Sequence, residues 1–164
     1  MRGIPEDRIR TAERRLRNRM TALEDAREAI ADAQSEATSL TGPLANTDTM
    51  VQTSRSGDRI PRAVEKILAA RERLQTLEAW EAVFCRVDED FPPGSPEGTV
   101  RDLCLIARRK PGERWAAPVM TLTDLARAEG VDRQTIARRK EMVLGRVAYY
   151  AAEAGLMTEE GREP

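Results

Sequence analysis

Four side chains near the start of one predicted helix have the types and the spacing that base recognition in DNA requires. Arg133, Gln134, Ala137 and Arg138 are related by intervals of three and four residues, so they fall on one helix face. An α-helix enters the major groove with its N-terminal residues at the base edges. There an arginine can donate two hydrogen bonds to guanine, and a glutamine can pair with adenine. The sequence therefore predicts that this outward face, which also includes Glu141, is suited to a major groove.

A second group of polar and basic side chains lies where phosphate contacts are expected. The predicted phosphate contacts are Thr121, Arg127, Thr135, Arg139 and Lys140. Such contacts supply position and salt-dependent affinity but no sequence information. The segment from Val100 to Tyr150 holds eleven basic and six acidic residues, whereas the whole chain has a formal net charge of −1. A phosphate-facing surface is therefore expected in the C-terminal part of the chain.

Local signals predict how these side chains are positioned. Thr121 opens a first helix through a capping box with Asp124, Gly130 supplies a left-handed residue for a sharp turn, and Asp132 caps a second helix. Two helices joined by three residues must cross steeply, and the small Ala126 lets them approach. The predicted shared core is Leu122, Leu125, Val131, Ile136, Val143 and Val147. Together these features predict a helix-turn-helix.

The N-terminal part carries the pattern of a long coiled-coil-like helix from Glu6 to Leu40. Apolar residues return at seven-residue intervals, which is typical of a coiled-coil seam, and Arg19 interrupts one row. The two rows are Ile9, Leu16, Leu23, Ile30 and Ala37, and Ala12, Ala26, Ala33 and Leu40. A second helical pattern runs from Ile60 to the prolines that start at Pro92. The expectation is an antiparallel hairpin over residues 1–92 with a loop at 43–59, used for oligomerisation or partner contact.

The predicted fold class is all-α, a long helical hairpin followed by a small C-terminal helix-turn-helix domain at 99–155 and a flexible tail at 156–164. Within the small domain, Thr99 is expected to cap a short amphipathic helix, and Trp115 is expected to fill the core. The two cysteines, Cys85 and Cys104, are predicted to be buried thiols in a reducing cytoplasm.

Composition argues against other classes of function. The chain has no histidine and no CxxC pair, so neither a zinc site nor a histidine acid–base group is expected. It has no glycine-rich phosphate loop, and no apolar run reaches the roughly 18 residues that a membrane span needs. The sequence predicts a cytoplasmic protein that is not an enzyme and that needs no cofactor and no metal.

The segment from Thr121 to Arg139, TLTDLARAEGVDRQTIARR, resembles the region-four helix-turn-helix of bacterial sigma factors. That motif binds the upstream promoter element and the polymerase flap. Primary sigma factors usually carry Arg-Glu and Arg-Gln at the base-reading positions, whereas this chain has Arg133-Gln134 and Ala137-Arg138. The resemblance therefore implies a different target sequence. Glu129 is a further departure, because many such motifs have a buried leucine or phenylalanine there.

The wider layout is similar to phage late-transcription activators of the RinA and ArpU type. This resemblance implies a sequence-specific transcriptional regulator in a bacterial host cell, with promoter DNA and host RNA polymerase as partners and a homodimer formed through the hairpin. Two alternatives stay open. A phage small terminase subunit also joins a helix-turn-helix to an oligomerising hairpin, but generally places the DNA-binding motif first. A helical scaffold or adaptor would use the heptad seam to bind protein and would not bind DNA.

Overall fold

The computed structural model describes residues 4–41, 59–109 and 115–157, and these parts of the chain form a mostly helical fold, as predicted. The helices are α1 (Glu6–Arg17), α2 (Arg19–Thr41), α3 (Arg59–Asp90), α4 (Pro96–Val100), α5 (Leu122–Glu129) and α6 (Arg133–Glu153). A π-helical turn at Arg101–Leu105 follows α4, and two short strands, β1 (Ala107–Arg108) and β2 (Ala117–Pro118), form an antiparallel pair. The sequence did not predict this β-hairpin.

The first helix was predicted to run without a break from Glu6 to Leu40, and this prediction is wrong at Asn18. This residue lies between α1 and α2 with φ −91° and ψ 5°, outside the α-helical region, while its N–H still donates to Arg14 O at 3.3 Å. Asparagine is a poor interior helix residue because its side chain competes for backbone hydrogen bonds. Arg19, which interrupts the heptad row, forms ion pairs with Glu81 at 2.6 Å and Asp88 at 2.9 Å. The interruption therefore marks a charged contact with α3.

The chain forms two compact units whose limits differ from the predicted domains. The larger unit combines Met1–Ala22 with Leu77–Pro164, and the smaller unit is Leu23–Thr76. The larger unit is held together by a core that α1, α3 and α6 share. Its most buried members include Ala12, Leu16, Trp80, Val83, Phe84, Val87, Val143, Leu144, Val147 and Ala148. Because α1 and the last turns of α3 bury their apolar faces against α6, these parts of the predicted hairpin belong to the same compact unit as α6.

The smaller unit contains the parts of α2 and α3 that pack as a helix pair. Ala26 and Ala33 are buried, as the heptad rows predict, whereas Leu23 and Ile30 are half-buried. The side chains of Ala37 and Leu40 lie outside the described residues, and so does the predicted loop at 43–59 except for Arg59.

The connection after α3 corrects a predicted helix start. Ser95, not Thr99, caps α4, because the Ser95 hydroxyl oxygen accepts a hydrogen bond from the Gly98 N–H at 3.0 Å. Thr99 lies inside the helix and its hydroxyl donates to Ser95 O at 2.9 Å. Val100 and Cys104, which were expected to point inward, are buried.

Trp115 was predicted to fill the core, and this prediction is wrong. Its side chain is 75% exposed, whereas Trp80 on α3 is 1% exposed and belongs to the core of the larger unit. Cys85 is exposed, contrary to the prediction, and Cys104 is buried as predicted. Met157 is also buried in the core, so the predicted flexible tail cannot begin at 156; residues 158–164 lie outside the described part.

None of the helices in the three described ranges combines the length and the hydropathy that a membrane-crossing segment requires.

Candidate nucleic-acid interface

The start of α5 has the predicted capping geometry. The Thr121 hydroxyl oxygen accepts a hydrogen bond from the Asp124 N–H at 3.1 Å, and the same hydroxyl donates to Asp124 Oδ2 at 2.7 Å. The hydrogen bond from Thr121 lowers the pKa of the Asp124 carboxyl below its ordinary value. The cap fixes the first turn of α5, and the negative carboxylate suits the positive end of the helix.

The turn between α5 and α6 depends on Gly130. This residue has φ 67° and ψ 28°, which is the left-handed conformation predicted for it. The Val131 N–H donates back to Ala126 O at 3.0 Å and closes the end of α5. A Cβ built at Gly130 meets no atom within 4 Å, so the requirement for glycine is conformational and not steric.

Replacing Gly130 with alanine is expected to destabilise the larger unit by about 1–2 kcal/mol, because an L-residue is strained in the left-handed region. Gly130→Asn is the matched control, since asparagine tolerates this conformation better. Urea unfolding followed by circular dichroism measures both variants. An alanine variant as stable as the wild type would contradict the assigned role of the turn.

The start of α6 is capped by Asp132, as predicted. Asp132 accepts hydrogen bonds from the Thr135 N–H and from the Thr135 hydroxyl, both at 2.9 Å. These bonds lower the pKa of the Asp132 carboxyl, the backbone bond most strongly. Thr135 was predicted to contact phosphate, and its hydroxyl donates its hydrogen bond to Asp132 within the chain.

The two helices are packed through a small apolar cluster. Its buried members are Val100, Cys104, Leu125, Ala126 and Ile136, with Leu122 and Val131 packed at its edge. Val143 and Val147 were predicted to belong to the same core, but they lie in the core that α6 shares with α1 and α3. The first turn of α6 is thus held by α5, and its later turns are held by the remainder of the larger unit.

The predicted base-reading residues lie together on the first two turns of α6. Arg133, Gln134 and Arg138 are exposed, and Ala137 is half-buried. Further along the same face, Leu144 and Ala148 are buried in the core that contains α1 residues. Only the beginning of this face is therefore open to a ligand. Sequence periodicity could not show this limit, because it does not identify what covers a buried position.

The predicted phosphate contacts fall into two groups. Thr121 and Arg127 are exposed, and Arg127 Nη1 is 3.9 Å from Asp124 Oδ1. Arg139 instead forms an ion pair with Glu129, and Lys140 Nζ lies 2.8 Å from Glu13 Oε1. These two basic side chains are 19% and 26% exposed. Their partners hold α6 against the end of α5 and against α1.

The pair formed by Glu129 and Arg139 explains the departure seen at Glu129 in the sequence. Where related motifs have an apolar side chain, this chain places a carboxylate that meets an arginine across the turn. The two residues are ten positions apart on different helices, so helical spacing gave no signal for the pair. The Glu13 contact to Lys140 was missed for the same reason, since it joins residues 127 positions apart.

A depression at the start of α5 brings two of the predicted phosphate contacts, Thr121 and Lys140, close to residues that the sequence did not single out. It is lined by Glu13 and Arg17 of α1, by Cys104 and Leu105, by residues 117–120, and by Thr121, Leu122, Asp124 and Lys140. The strand β2 and helix α1 therefore border the surface formed by α5 and α6.

Metal ligands and reactive thiols are two further kinds of site that the described residues could form. These residues contain no group of three or more histidine, cysteine, aspartate or glutamate side chains placed to hold a metal ion. Burial raises the pKa of the Cys104 thiol, which disfavours the reactive thiolate.

Comparisons of the chain with protein-family models, with curated proteins and with solved structures found no match.

Proposed function

We propose that this protein is a sequence-specific DNA-binding transcriptional regulator, with α5 and α6 acting as a helix-turn-helix. One observation carries the proposal: a capped helix, a left-handed glycine and a second capped helix present Arg133, Gln134 and Arg138 on exposed first turns. This combination supports insertion of the start of α6 into the major groove, with base edges facing these side chains.

In the proposed complex, the contacts divide by their chemistry. Arg133 and Arg138 each offer a planar guanidinium that can bind guanine O6 and N7 together, and Gln134 can pair with adenine. Arg127, exposed on α5, supplies a phosphate contact. Arg139 and Lys140 act mainly as positioning residues, because they already form ion pairs with Glu129 and Glu13. This role differs from the phosphate contact that their positions in the sequence suggested.

The finer assignment follows from the resemblance to late-gene activators of phages and prophages. In this proposal, the α5–α6 segment binds the promoter and the protein contacts host RNA polymerase. The N-terminal hairpin of long helices forms a homodimer. Exposed Val64 and Leu68 on α3 support self-association through the smaller unit, since apolar side chains gain from burial. Light scattering measures the mass: a dimer supports this arrangement, and a ring of many subunits favours the small terminase alternative.

Arg133→Ala is expected to reduce discrimination between the best site and random DNA by about 1–3 kcal/mol. The reason is that a base contact is lost while phosphate contacts remain. Arg127→Ala is expected to weaken binding to all sequences alike and to lower the salt dependence by about one phosphate contact. Target sites are first selected from random DNA, and gel-shift titrations at several salt concentrations then give both quantities.

Arg62→Ala serves as the control, because Arg62 is an exposed arginine of the smaller unit and should leave both quantities unchanged. Equal losses on specific and random DNA for Arg133→Ala and Arg127→Ala would remove the two assigned roles. The absence of any salt-sensitive binding by the wild type at about 50 mM salt, where phosphate contacts are strongest, would favour the adaptor alternative.

A further inference from the structure

The segment that contains β2 exposes an alternating set of side chains. Trp115, Ala117 and Val119 are exposed, whereas the residues between them are half-buried. The strand β2 itself covers only Ala117 and Pro118, and the chain bends at Trp115 and at Val119, so what the three residues share is their exposure to solvent. Trp115 is 75% exposed and Val119 is 53% exposed. Few large apolar side chains of the described residues are as accessible as this pair.

The partner strand adds a positive charge on the side of the sheet where Ala117 lies. In the antiparallel pairing, Arg108 lies opposite Ala117, and Ala107 lies opposite Pro118. Directly opposed residues project to the same side of a sheet, so the exposed Arg108 lies on the side of Ala117. The buried Ala107 lies on the other side. We call Arg108, Trp115, Ala117 and Val119 the hairpin face.

The charge of this region favours an anionic partner. Among the described residues from Ala107 to Pro118, Arg108 and Arg109 are basic and none is acidic. Tryptophan and arginine together are suited to nucleic acid, because the ring packs on bases or sugars and the guanidinium pairs with phosphate. A protein partner would be expected to find a more neutral or mixed surface here.

The hairpin face is also continuous with the surface that we assign to DNA. Only two residues separate Pro118 from Thr121, the cap of α5. Residues 117–120 line the same depression as Thr121 and Lys140, and Arg17 of α1 lies at its border. A duplex whose major groove receives the start of α6 would therefore pass beside the hairpin.

We propose that the hairpin face is a second DNA contact, which binds the sugar–phosphate backbone next to the bases read by α6. Arg108 pairs with a phosphate, and Trp115 packs against the adjoining sugar. This inference rests on the proposed function of α5 and α6. The contact carries no sequence information, so it adds affinity and lengthens the protected region on one side of the site.

Arg108→Ala and Trp115→Ala are the test variants, measured with the full chain on the selected site and on random DNA. Each is expected to weaken binding about three- to tenfold on both DNAs, and Arg108→Ala also to reduce the salt dependence by about one phosphate contact. Tyr149→Ala is the matched control for Trp115, because Tyr149 is an exposed aromatic residue on α6. It should bind both DNAs as the wild type does.

Tryptophan fluorescence gives a second readout without substitution. The chain has two tryptophans, and Trp80 is 1% exposed, so acrylamide quenching reports mainly Trp115. Bound DNA is expected to protect Trp115 from quenching. If Arg133→Ala loses discrimination while both hairpin variants bind normally and quenching does not change, the hairpin proposal is overturned and the proposed function stands. If the wild type binds no DNA, both are overturned.

Discussion

Replacing Arg101 with methionine is expected to destabilise the larger unit by about 1–3 kcal/mol, because the variant loses the charge-assisted hydrogen bonds of a buried guanidinium and leaves a backbone carbonyl without its donor. The two carboxylate partners, Asp88 and Asp102, are 32% and 28% exposed, so they stay partly hydrated. Arg101 is 3% exposed, and its guanidinium lies 2.7 Å from carboxylate oxygens of Asp88 and Asp102. It also donates to the Phe91 carbonyl at 2.7 Å. The side chain thus connects the end of α3 to the π-helical turn.

Urea unfolding of the full chain measures this loss. Arg19→Met is the matched control, because Arg19 also pairs with Asp88 but keeps 13% of its side chain exposed. Its other contacts with α3 are an ion pair with Glu81 and the Phe84 ring, whose centre lies 5.2 Å from the guanidinium. Arg19→Met should lower the free energy of unfolding by less than Arg101→Met does. Combining each substitution with Asp88→Asn gives the coupling between the partners. An Arg101→Met variant within about 0.5 kcal/mol of the wild type would show that the buried network contributes little net stability.

The sequence was sufficient to predict features that depend on residues close together in the chain. The caps at Thr121 and Asp132 each involve a residue three positions away, and the turn depends on the conformation of Gly130 alone. Each of these signals is local, so no knowledge of the tertiary structure was needed to recognise it. This is why the two helix caps and the left-handed turn were predicted correctly.

The sequence was insufficient where the packing partner decides the outcome. The heptad rows correctly indicated that Ala12 and Leu16 are buried, but not that they share a core with α6. A period of seven identifies an apolar stripe without identifying the surface that covers it. The predicted hairpin domain treated that stripe as a seam between two helices, whereas α1 and the end of α3 also pack against α6.

In the candidate site, the sequence likewise could not predict which charged residues form ion pairs with each other. Arg139 and Lys140 lie on the helix expected to bind DNA, and their positions in the sequence suggested phosphate contacts. Glu129 and Glu13 take up both charges within the protein. In the proposed complex with DNA, the positive charge that α6 offers is therefore smaller than a count of its basic residues suggests, and the exposed arginines of α5 and of the β-hairpin would contribute a larger share of the affinity.

Substitution of Trp80 is the second change expected to lower stability strongly. Trp80→Ala is expected to destabilise the larger unit by about 3–5 kcal/mol, which is typical of removing a large aromatic side chain from a core. The Trp80 ring lies 5.9 Å from that of Phe84, centroid to centroid, and the Arg15 guanidinium is 5.6 Å from its centre. Among the described residues, its indole Nε1 has no hydrogen-bond partner, so burial of the ring supplies the stabilisation.

Trp80→Phe separates the ring from the indole N–H. Because phenylalanine keeps an aromatic ring and removes an unpaired donor, this variant should lose much less stability than Trp80→Ala. Trp115→Ala, at the 75% exposed position, is the matched surface control and should stay within about 0.5 kcal/mol of the wild type. Urea unfolding compares all three. If Trp115→Ala proved the more damaging substitution, Trp115 would be the core residue that the sequence suggested, and the hairpin face would have no tryptophan to offer DNA.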